Sequence, residues 1–276
     1  MRSPLRITSA DNARLKSVLH LRRQRDRRGS GLFIAEGSRE ISRALEAGLK
    51  IQELFYSPQM AGLDAAGLAK RFPRLAQHPI SLYELTPSLL QRIAYNENPE
   101  GLLALFEQPI RSFADVPSAS PAHPDLWLVA AGINKPGNLG AMARTALAAG
   151  ATGLLAADAV VDSFNPNAIR ASTGAVFTLP IFSASTQETL DFLRARGIRV
   201  LAATPDADRS YTDADLTVPC ALVIGAEDTG VSADWRDMAD ESINIPMQAQ
   251  AVDSLNASSA AAILLFEALR QRRGRK

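Results

Sequence analysis

Amide, hydroxyl, carboxylate and guanidinium groups are concentrated in three short segments that are also rich in glycine or other small residues. The segments are NKPGNLGAMART (134–145), GAEDTGVS (225–232) and IPMQAQAVDSLNASS (245–259). The side chains in them that could take part in binding or catalysis are Asn138, Arg144, Glu227, Ser254 and Asn256. Glycine allows the backbone to approach a ligand closely. Such segments suit a flat, polar ligand, for example an adenosine nucleoside that is bound largely by backbone groups.

Each segment has an ordinary structural explanation when it is taken singly, because glycines also form turns and Arg144 could be a surface arginine. Two common phosphate-binding motifs are excluded. Gly132 and Gly137 have the separation of a phosphate loop, but Asn138 and Leu139 stand where that loop needs Lys and Ser or Thr. No G-x-G-x-x-G follows the preceding apolar run, and G-x-S-x-G is absent from the chain. A dinucleotide site and an α/β-hydrolase are therefore not indicated.

The three segments each follow an apolar run of strand length, which brings them together in space. The runs are LWLVAAGI (126–133), CALVIG (220–225) and SINIPM (242–247). Helical patterns alternate with them, namely NLGAMARTALAAG, QETLDFLRARG, SADWRDMAD and a last helix from about Asn256. Such alternation predicts an α/β fold with a parallel sheet that is covered on both faces. Ligands bind at the carboxyl ends of such strands, so the combined pattern favours a site.

Two domains are predicted. Residues 111–124 are rich in Pro, Ser and Ala and lack an apolar period, which is typical of a linker. Residues 1–110 form a small α/β domain, with a short strand that starts at Phe33 and Ile34, a helix, and a second strand at IQELFYS. Residues 125–276 form the parallel-sheet domain. The predicted core contains no internal repeat.

Composition limits the class of protein. The chain has 276 residues, 46% of them hydrophobic and 21% charged, which is globular composition. One cysteine, Cys220, permits no internal disulfide, and the three histidines are scattered, which argues against a metal site. No run reaches the ~18–20 apolar residues of a membrane span, and the amino terminus is too charged for a secretory signal. We expect a soluble, cytoplasmic protein without metal.

Charge is distributed unevenly along the chain. Residues 1–50 carry a net charge of +7, whereas the whole chain carries +1. The basic residues are densest in RLKSVLHLRRQRDRRG (14–29). A polyanion such as RNA, or merely a solvated helix followed by a charged turn, would explain this asymmetry. The candidate phosphate-binding residues are Arg22, Arg23, Arg25, Arg27 and Arg28.

The three segments, extended to KPGNLGAMARTALAAGATGLLA, LVIGAEDTGVS and IPMQAQAVDSLNASSAAAILLFEALRQR, resemble the signature motifs of the SpoU (TrmH) family of RNA ribose 2′-O-methyltransferases. The pattern LKSVLHLRRQRDRRGSGLFIAEGSREI resembles the substrate-binding domain that often precedes them. The resemblance implies a SPOUT catalytic domain with a C-terminal trefoil knot, and a homodimer. It also implies S-adenosylmethionine as the methyl donor and structured RNA as the substrate, with 23S ribosomal RNA as the RNA expected first.

The resemblance also implies residue roles. The catalytic set would be Arg144, Asn138, Glu227, Ser254 and Asn256. The cofactor-binding set would be Thr204, Gly225, Ile245, Met247, Ser254 and Leu255. A free arginine has a pKa above ~12 and is a poor base. Arg144 would therefore either draw the proton from the hydroxyl or hold a nucleotide phosphate that accepts it, and the general base is left open between these.

Two alternatives accompany this interpretation. In the last motif Ala249 stands where the family usually has Gly, and the stretch from Met247 to Ser254 is one residue longer than usual. An RNA-binding module without methyl transfer activity is one alternative, and a transfer RNA 2′-O-methyltransferase is the other. A protein–protein scaffold would leave the polar loops unexplained. The sequence does not indicate the nucleotide or the base that is methylated.

Overall fold

The computed structural model describes residues 3–116, 124–248 and 254–274. Packing divides the chain into two compact units. The first unit contains the residues up to Ile110 together with Phe164–Phe177, and the second contains Arg111–Ser163 and the residues from Thr178 onward. The sequence pattern places residues 164–177 in the second domain, whereas their packing is with the first.

Strands and helices alternate along most of the chain. The strands are β1 Leu5–Ile7, β2 Leu32–Glu36, β3 Ile51–Tyr56, β4 Ser81–Leu85, β5 Leu102–Glu107, β6 Leu126–Ala131, β7 Gly153–Ala157, β8 Ile181–Ala184, β9 Arg199–Ala203, β10 Cys220–Ile224 and β11 Glu241–Ile243. The helices are α1 Ala13–His20, α2 Gln24–Ser30, α3 Ser38–Glu46, α4 Pro58–Ala61, α5 Ala65–Arg71, α6 Pro87–Ile93, α7 Pro136–Ala148, α8 Pro166–Ser172, α9 Ala175–Thr178, α10 Thr186–Ala195, α11 Ala233–Met238 and α12 Ala257–Arg273. Short 3-10 helices lie at Pro73–Gln77 and Phe113–Asp115.

The first unit is built on a five-stranded sheet in the order β1-β4-β3-β5-β2. β5 runs antiparallel to β2 and β3, whereas β4 is parallel to β1 and β3. An aromatic group explains why residues 164–177 belong here. The ring of Phe33 on β2 lies 4.6 Å from that of Phe164 and 5.5 Å from that of Phe177, measured between centroids. Stacked aromatic rings in a buried site stabilise beyond their buried area.

The second unit is built on a six-stranded, all-parallel sheet in the order β11-β9-β10-β6-β7-β8. Every residue of β6, β7 and β10 is buried, as expected for parallel strands that are covered on both faces. The predicted α/β class and parallel sheet are therefore confirmed. The sequence patterns did not predict β8, and they predicted a longer last strand. β11 ends at Ile243, after which the backbone N–H of Asn244 turns to the carbonyl of Arg209.

Helices α7 and α12 both begin at the carboxyl edge of this sheet, next to polar segments of the sequence. α7 follows β6 and begins with Pro136, whose fixed φ suits the first helical position. α12 begins after Asn256, and its body packs along α7 and β10. None of the helices among the described residues is long and apolar enough to cross a membrane. Likewise, no group of three or more His, Cys, Asp or Glu residues within the described ranges could hold a metal ion.

The far end of α12 is fastened by Arg272. Its guanidinium donates to the carbonyl oxygens of Pro124 at 2.6 Å, Asp125 at 3.0 Å, Leu216 at 2.9 Å and Val218 at 2.9 Å. These carbonyls lie just before β6 and β10, at the amino edge of the sheet. Hydrogen bonds from a charged donor stabilise more than neutral ones. One side chain therefore fixes the end of the last helix against two central strands.

We expect Arg272→Ala to lower the free energy of unfolding by about 2–4 kcal/mol, because several partly buried carbonyls lose a charged donor together. Urea denaturation monitored by circular dichroism measures the change. Arg273→Ala is the matched control. Its side chain is exposed at the neighbouring position, so its effect should stay within about 0.5 kcal/mol. Equal losses in the two variants would contradict the anchoring role.

Candidate active site

A cavity of about 290 Å³ opens at the carboxyl ends of β9, β10 and β11. Its walls come from the segment after β9, the segment after β10 and the two chain segments on either side of residues 249–253. The residues that the sequence analysis proposed for cofactor binding all line it: Thr204, Gly225, Ile245, Met247, Ser254 and Leu255. The cavity therefore lies where ligands bind in parallel α/β sheets.

A chain of side-chain hydrogen bonds joins the three polar segments at this cavity. The Nδ2 group of Asn256 donates to Oδ1 of Asn138 at 3.4 Å. The Nδ2 group of Asn138 in turn donates to Oε1 of Glu227. Asn138 lies in the first turn of α7, Glu227 lies in the loop after β10, and Asn256 precedes α12. Three elements that are far apart in sequence are thus linked by one carboxamide, that of Asn138.

The orientation of Asn256 is fixed by a second task. Its Oδ1 accepts hydrogen bonds from the backbone N–H of Ser258 at 2.9 Å and from the Ser258 hydroxyl at 2.6 Å. The side chain therefore caps the first turn of α12, which needs acceptors for its unpaired N–H groups. With Oδ1 committed to the helix, Nδ2 is the group that points to Asn138. The helix cap and the site contact thus use the oxygen and the nitrogen of one carboxamide.

Glu227 is the acid of this chain of contacts. Its Oε1 accepts from Asn138. Its Oε2 is buried and has no hydrogen-bond partner among the described residues. A buried carboxylate oxygen without a donor is costly. Because Glu227 lines the cavity, the site has spare acceptor capacity at the cavity edge.

The loop after β10 is a tight turn. The backbone N–H of Gly230 donates to the carbonyl of Ala226 at 2.8 Å, and Gly230 has a φ of +67°, which favours glycine. Gly225 has no room for a side chain. A Cβ atom there would lie 2.1 Å from the carbonyl carbon and oxygen of Gly230 and 2.3 Å from the backbone nitrogen of Val231. Gly225 is thus required by the turn itself, before any ligand is considered.

Comparison with known proteins agrees with this geometry. Residues 125–266 match the SpoU rRNA Methylase family, and residues 12–104 match the MRM3-like substrate binding domain. The chain belongs to the SpoU family. The resemblance drawn from the sequence motifs is therefore confirmed.

Two curated proteins and one solved structure show how far the likeness of this SpoU chain to other proteins extends. It is 36% identical to a 23S rRNA (uridine(2479)-2'-O)-methyltransferase of Streptomyces viridochromogenes, over 97% of this chain and 92% of that protein. It is 26% identical to the 23S rRNA (guanosine(2553)-2'-O)-methyltransferase RlmP of Bacillus subtilis, over 94% and 97%. The structure of the SpoU methyltransferase AviRb from Streptomyces viridochromogenes with AdoMet superposes with a TM-score of 0.84 at 31% identity, covering 95% and 98%.

Arg144 stands apart from the other proposed catalytic residues of the SpoU domain. It is exposed on α7. It lies six positions after Asn138, which corresponds to about 9 Å along the helix axis and about 120° around it. Within the described part of the chain no hydrogen bond or ion pair of Arg144 is found. The structure thus brings Asn138, Glu227 and Asn256 together, places Ser254 on the cavity wall, and leaves Arg144 in solvent.

The basic segment of the first unit requires one correction. Arg27 was proposed to contact phosphate, but it is 1% exposed. Its Nη1 donates at 2.8 Å to the carbonyls of Leu21 and Arg22, which ties α2 to the end of α1. Arg27 therefore has a structural role. Arg22, Arg23, Arg25 and Arg28 are exposed, although the guanidinium of Arg22 also donates to the carbonyl of Ala94.

Two further outcomes concern the cavity. Ala249, the departure from the family pattern, lies with the neighbouring residues 250–253 outside the described residues. Pro205 and Arg236, which no sequence motif predicts, also line the cavity. Pro205 follows a strand and could have been found by that criterion. Arg236 lies on α11, where the sequence pattern only indicated a helix.

We expect Gly225→Ala to destabilise the SpoU domain by about 1–3 kcal/mol, because the added Cβ must displace the backbone of Gly230 and Val231. Thermal unfolding of the two proteins measures the difference. Gly137→Ala on α7 is the control, since a Cβ there meets nothing within 4 Å and alanine favours helix by up to about 1 kcal/mol. A Gly225→Ala protein as stable as the wild type would show that the turn adapts at no cost.

Proposed function

We propose that this protein transfers a methyl group from S-adenosylmethionine to a ribose 2′-hydroxyl of ribosomal RNA, with 23S RNA as the substrate. The observation that carries the proposal is the junction of Asn138, Glu227 and Asn256 at the edge of a cavity lined by the six proposed cofactor residues. Membership of the SpoU family supports the reaction class, and the AdoMet complex of AviRb supports the cofactor.

The cavity has the chemistry that this cofactor needs. Its walls combine apolar side chains such as Ile224 and Ile243 with backbone of glycine-containing turns, which suits a nucleoside that is read by main-chain groups. S-Adenosylmethionine supplies both the methyl group and its own leaving group. The protein needs only to align the reacting atoms and to orient or deprotonate the hydroxyl. No metal enters this scheme.

The residues of the site divide these tasks. Asn138, which accepts a hydrogen bond from Asn256, donates to the carboxylate of Glu227 at the cavity edge, and Oε2 of Glu227 is available to accept a hydrogen bond. Arg144, exposed and without a protein partner among the described residues, is free to grip a phosphate of the target nucleotide. That phosphate would accept the proton of the hydroxyl, or Arg144 would take it directly. The two routes predict different behaviour of an Arg144→Lys variant.

The wider organisation belongs to the same proposal. The all-parallel sheet and the packing of α12 on α7 and β10 support a C-terminal trefoil knot, with the chain after β11 tucked through an earlier loop. We propose a homodimer that acts in the cytoplasm, where ribosomal RNA is modified. Two relatives act on 23S RNA but on different bases, uridine and guanosine. The likeness therefore supports 23S RNA as the substrate but does not indicate which base the methylated nucleotide carries.

The direct test is methyl transfer from labelled S-adenosylmethionine to 23S RNA in the presence of a metal chelator, followed by mapping of the 2′-O-methyl position. Arg144 then separates the two routes. If Arg144 positions a phosphate, Arg144→Lys keeps part of the rate and Arg144→Ala loses about 100-fold or more. If Arg144 is the base, lysine is easier to deprotonate, so Arg144→Lys retains high activity and its pH–rate profile shifts toward lower pH.

Cofactor binding provides the control for this experiment. Arg144 is exposed, so both variants should fold and bind S-adenosylmethionine as the wild type does. Wild-type rates for Arg144→Ala on the correct RNA would contradict both routes and direct attention to Asn138, Ser254 and Asn256. Cofactor binding without methylation of any ribosomal or transfer RNA would favour the inactive RNA-binding alternative.

The exposed arginines of the first unit yield a second prediction. Replacing Arg23, Arg25 and Arg28 by Gln should weaken RNA binding and reduce the slope of log affinity against log salt by about 0.7–0.9 for each phosphate that the variant no longer binds. Filter binding of RNA over a range of KCl concentrations measures this slope. Arg194→Gln with Arg273→Gln, two exposed arginines of the second unit, is the charge control. An unchanged slope in the triple variant would show that the segment is only a solvated face.

A further inference from the structure

Charge is scarce on the walls of the cavity, and its one cationic member has no role in the scheme above. Among the lining residues in the described ranges, Glu227 and Asp228 are acidic, and Arg236 alone is basic. Arg236 lies on α11, outside the signature segments. It therefore provides the cavity with a positive charge on the side formed by the segments after β9 and β10.

The guanidinium of Arg236 is held in place by two contacts. Its Nη1 donates to Oδ2 of Asp206 at 2.8 Å, and its Nε donates to the carbonyl of Val231 at 3.2 Å. Hydrogen bonds from the backbone N–H of Asp206 and from Arg236 lower the pKa of the Asp206 carboxyl, so Asp206 stays ionised at neutral pH. Nη2 has no hydrogen-bond partner among the described residues.

An exposed ion pair alone does not account for this arrangement. Arg236 and Asp206 are 42% and 64% exposed in their side chains, and ion pairs this exposed contribute little to stability. What distinguishes this pair is its position, because the arginine lines the cavity while its partner and Val231 fix the direction of the guanidinium. A preoriented guanidinium loses less freedom when it binds a carboxylate, and its planar fork matches carboxylate geometry.

We infer that Arg236 binds the α-carboxylate at the methionine end of the cofactor. The inference rests on the proposed function and deepens it by assigning the amino acid end of S-adenosylmethionine to the α11 side of the cavity. The adenosine is then left to the backbone groups of the glycine-containing turns and to the segment around Leu255. Asp206 acts as a positioning residue, since it touches Arg236 and orients it.

Calorimetric titration of the full chain with two ligands tests this assignment. S-Adenosylhomocysteine carries the carboxylate, whereas 5′-deoxy-5′-methylthioadenosine has the same nucleoside without the amino acid end. Arg236→Gln should weaken S-adenosylhomocysteine binding by roughly tenfold, as expected for one charge-assisted hydrogen bond, and leave methylthioadenosine binding within about twofold. Arg194→Gln, an exposed arginine of the same unit on α10, should change neither affinity.

The outcomes are distinguishable. A selective loss for S-adenosylhomocysteine supports the assignment. Equal weakening of both ligands would mean that Arg236 only shapes the cavity, and no change in either would mean that it only pairs with Asp206; both results overturn the inference and leave the proposed function intact. If the wild-type protein binds neither compound, the cofactor proposal itself fails and the inference fails with it.

Discussion

The carboxamide of Asn256 is the group on which the geometry of the site depends. Its oxygen satisfies the first turn of α12, and its nitrogen holds Asn138, which in turn holds Glu227. Aspartate would cap the helix but could not donate to Asn138, and a serine hydroxyl is too short to serve both partners. An amide has one acceptor and one donor group on the same planar head. The residue type is therefore fixed jointly by helix capping and by the site.

This arrangement requires that α12 itself does not move. A helix of 17 residues spans about 25 Å, which carries it from the carboxyl edge of the sheet to the amino edge. There Arg272 binds carbonyls that precede β6 and β10. The same strands end, at their other edge, in the segments that carry Asn138 and Glu227. The helix α12 and the strands β6 and β10 thus form a frame. The contacts of Arg272 at the amino edge of the sheet fix the angle at which α12 brings Asn256 to the site at the carboxyl edge.

The sequence predicts this frame better than it predicts the contacts within it. The apolar runs of β6 and β10 and the alternation with helices indicate a parallel sheet, and its carboxyl edge locates the site. Local patterns cannot show that residues 164–177 pack with Phe33 in the first unit, because that packing joins residues far apart in the chain. They also treat Arg27 as one of several equivalent arginines, although its side chain is buried and donates to backbone carbonyls. Arg236 belongs to none of the sequence motifs, so only the folded structure shows that it lines the cavity.

The distribution of charge in the site follows from the same frame. Glu227 accepts a hydrogen bond from the neutral amide of Asn138, and its other carboxylate oxygen is buried without a donor among the described residues. Arg144 could neutralise a carboxylate, but α7 presents it about 120° away from Asn138. A close Arg144–Glu227 pair would satisfy both groups and leave neither for the substrate. Because Arg144 and Glu227 are kept apart, the buried oxygen of Glu227 lowers stability. The same separation leaves the Glu227 carboxylate as an acceptor at the cavity and the Arg144 guanidinium as a cation in solvent. RNA, with a hydroxyl to donate and a phosphate to bind, is a ligand that can satisfy both at once.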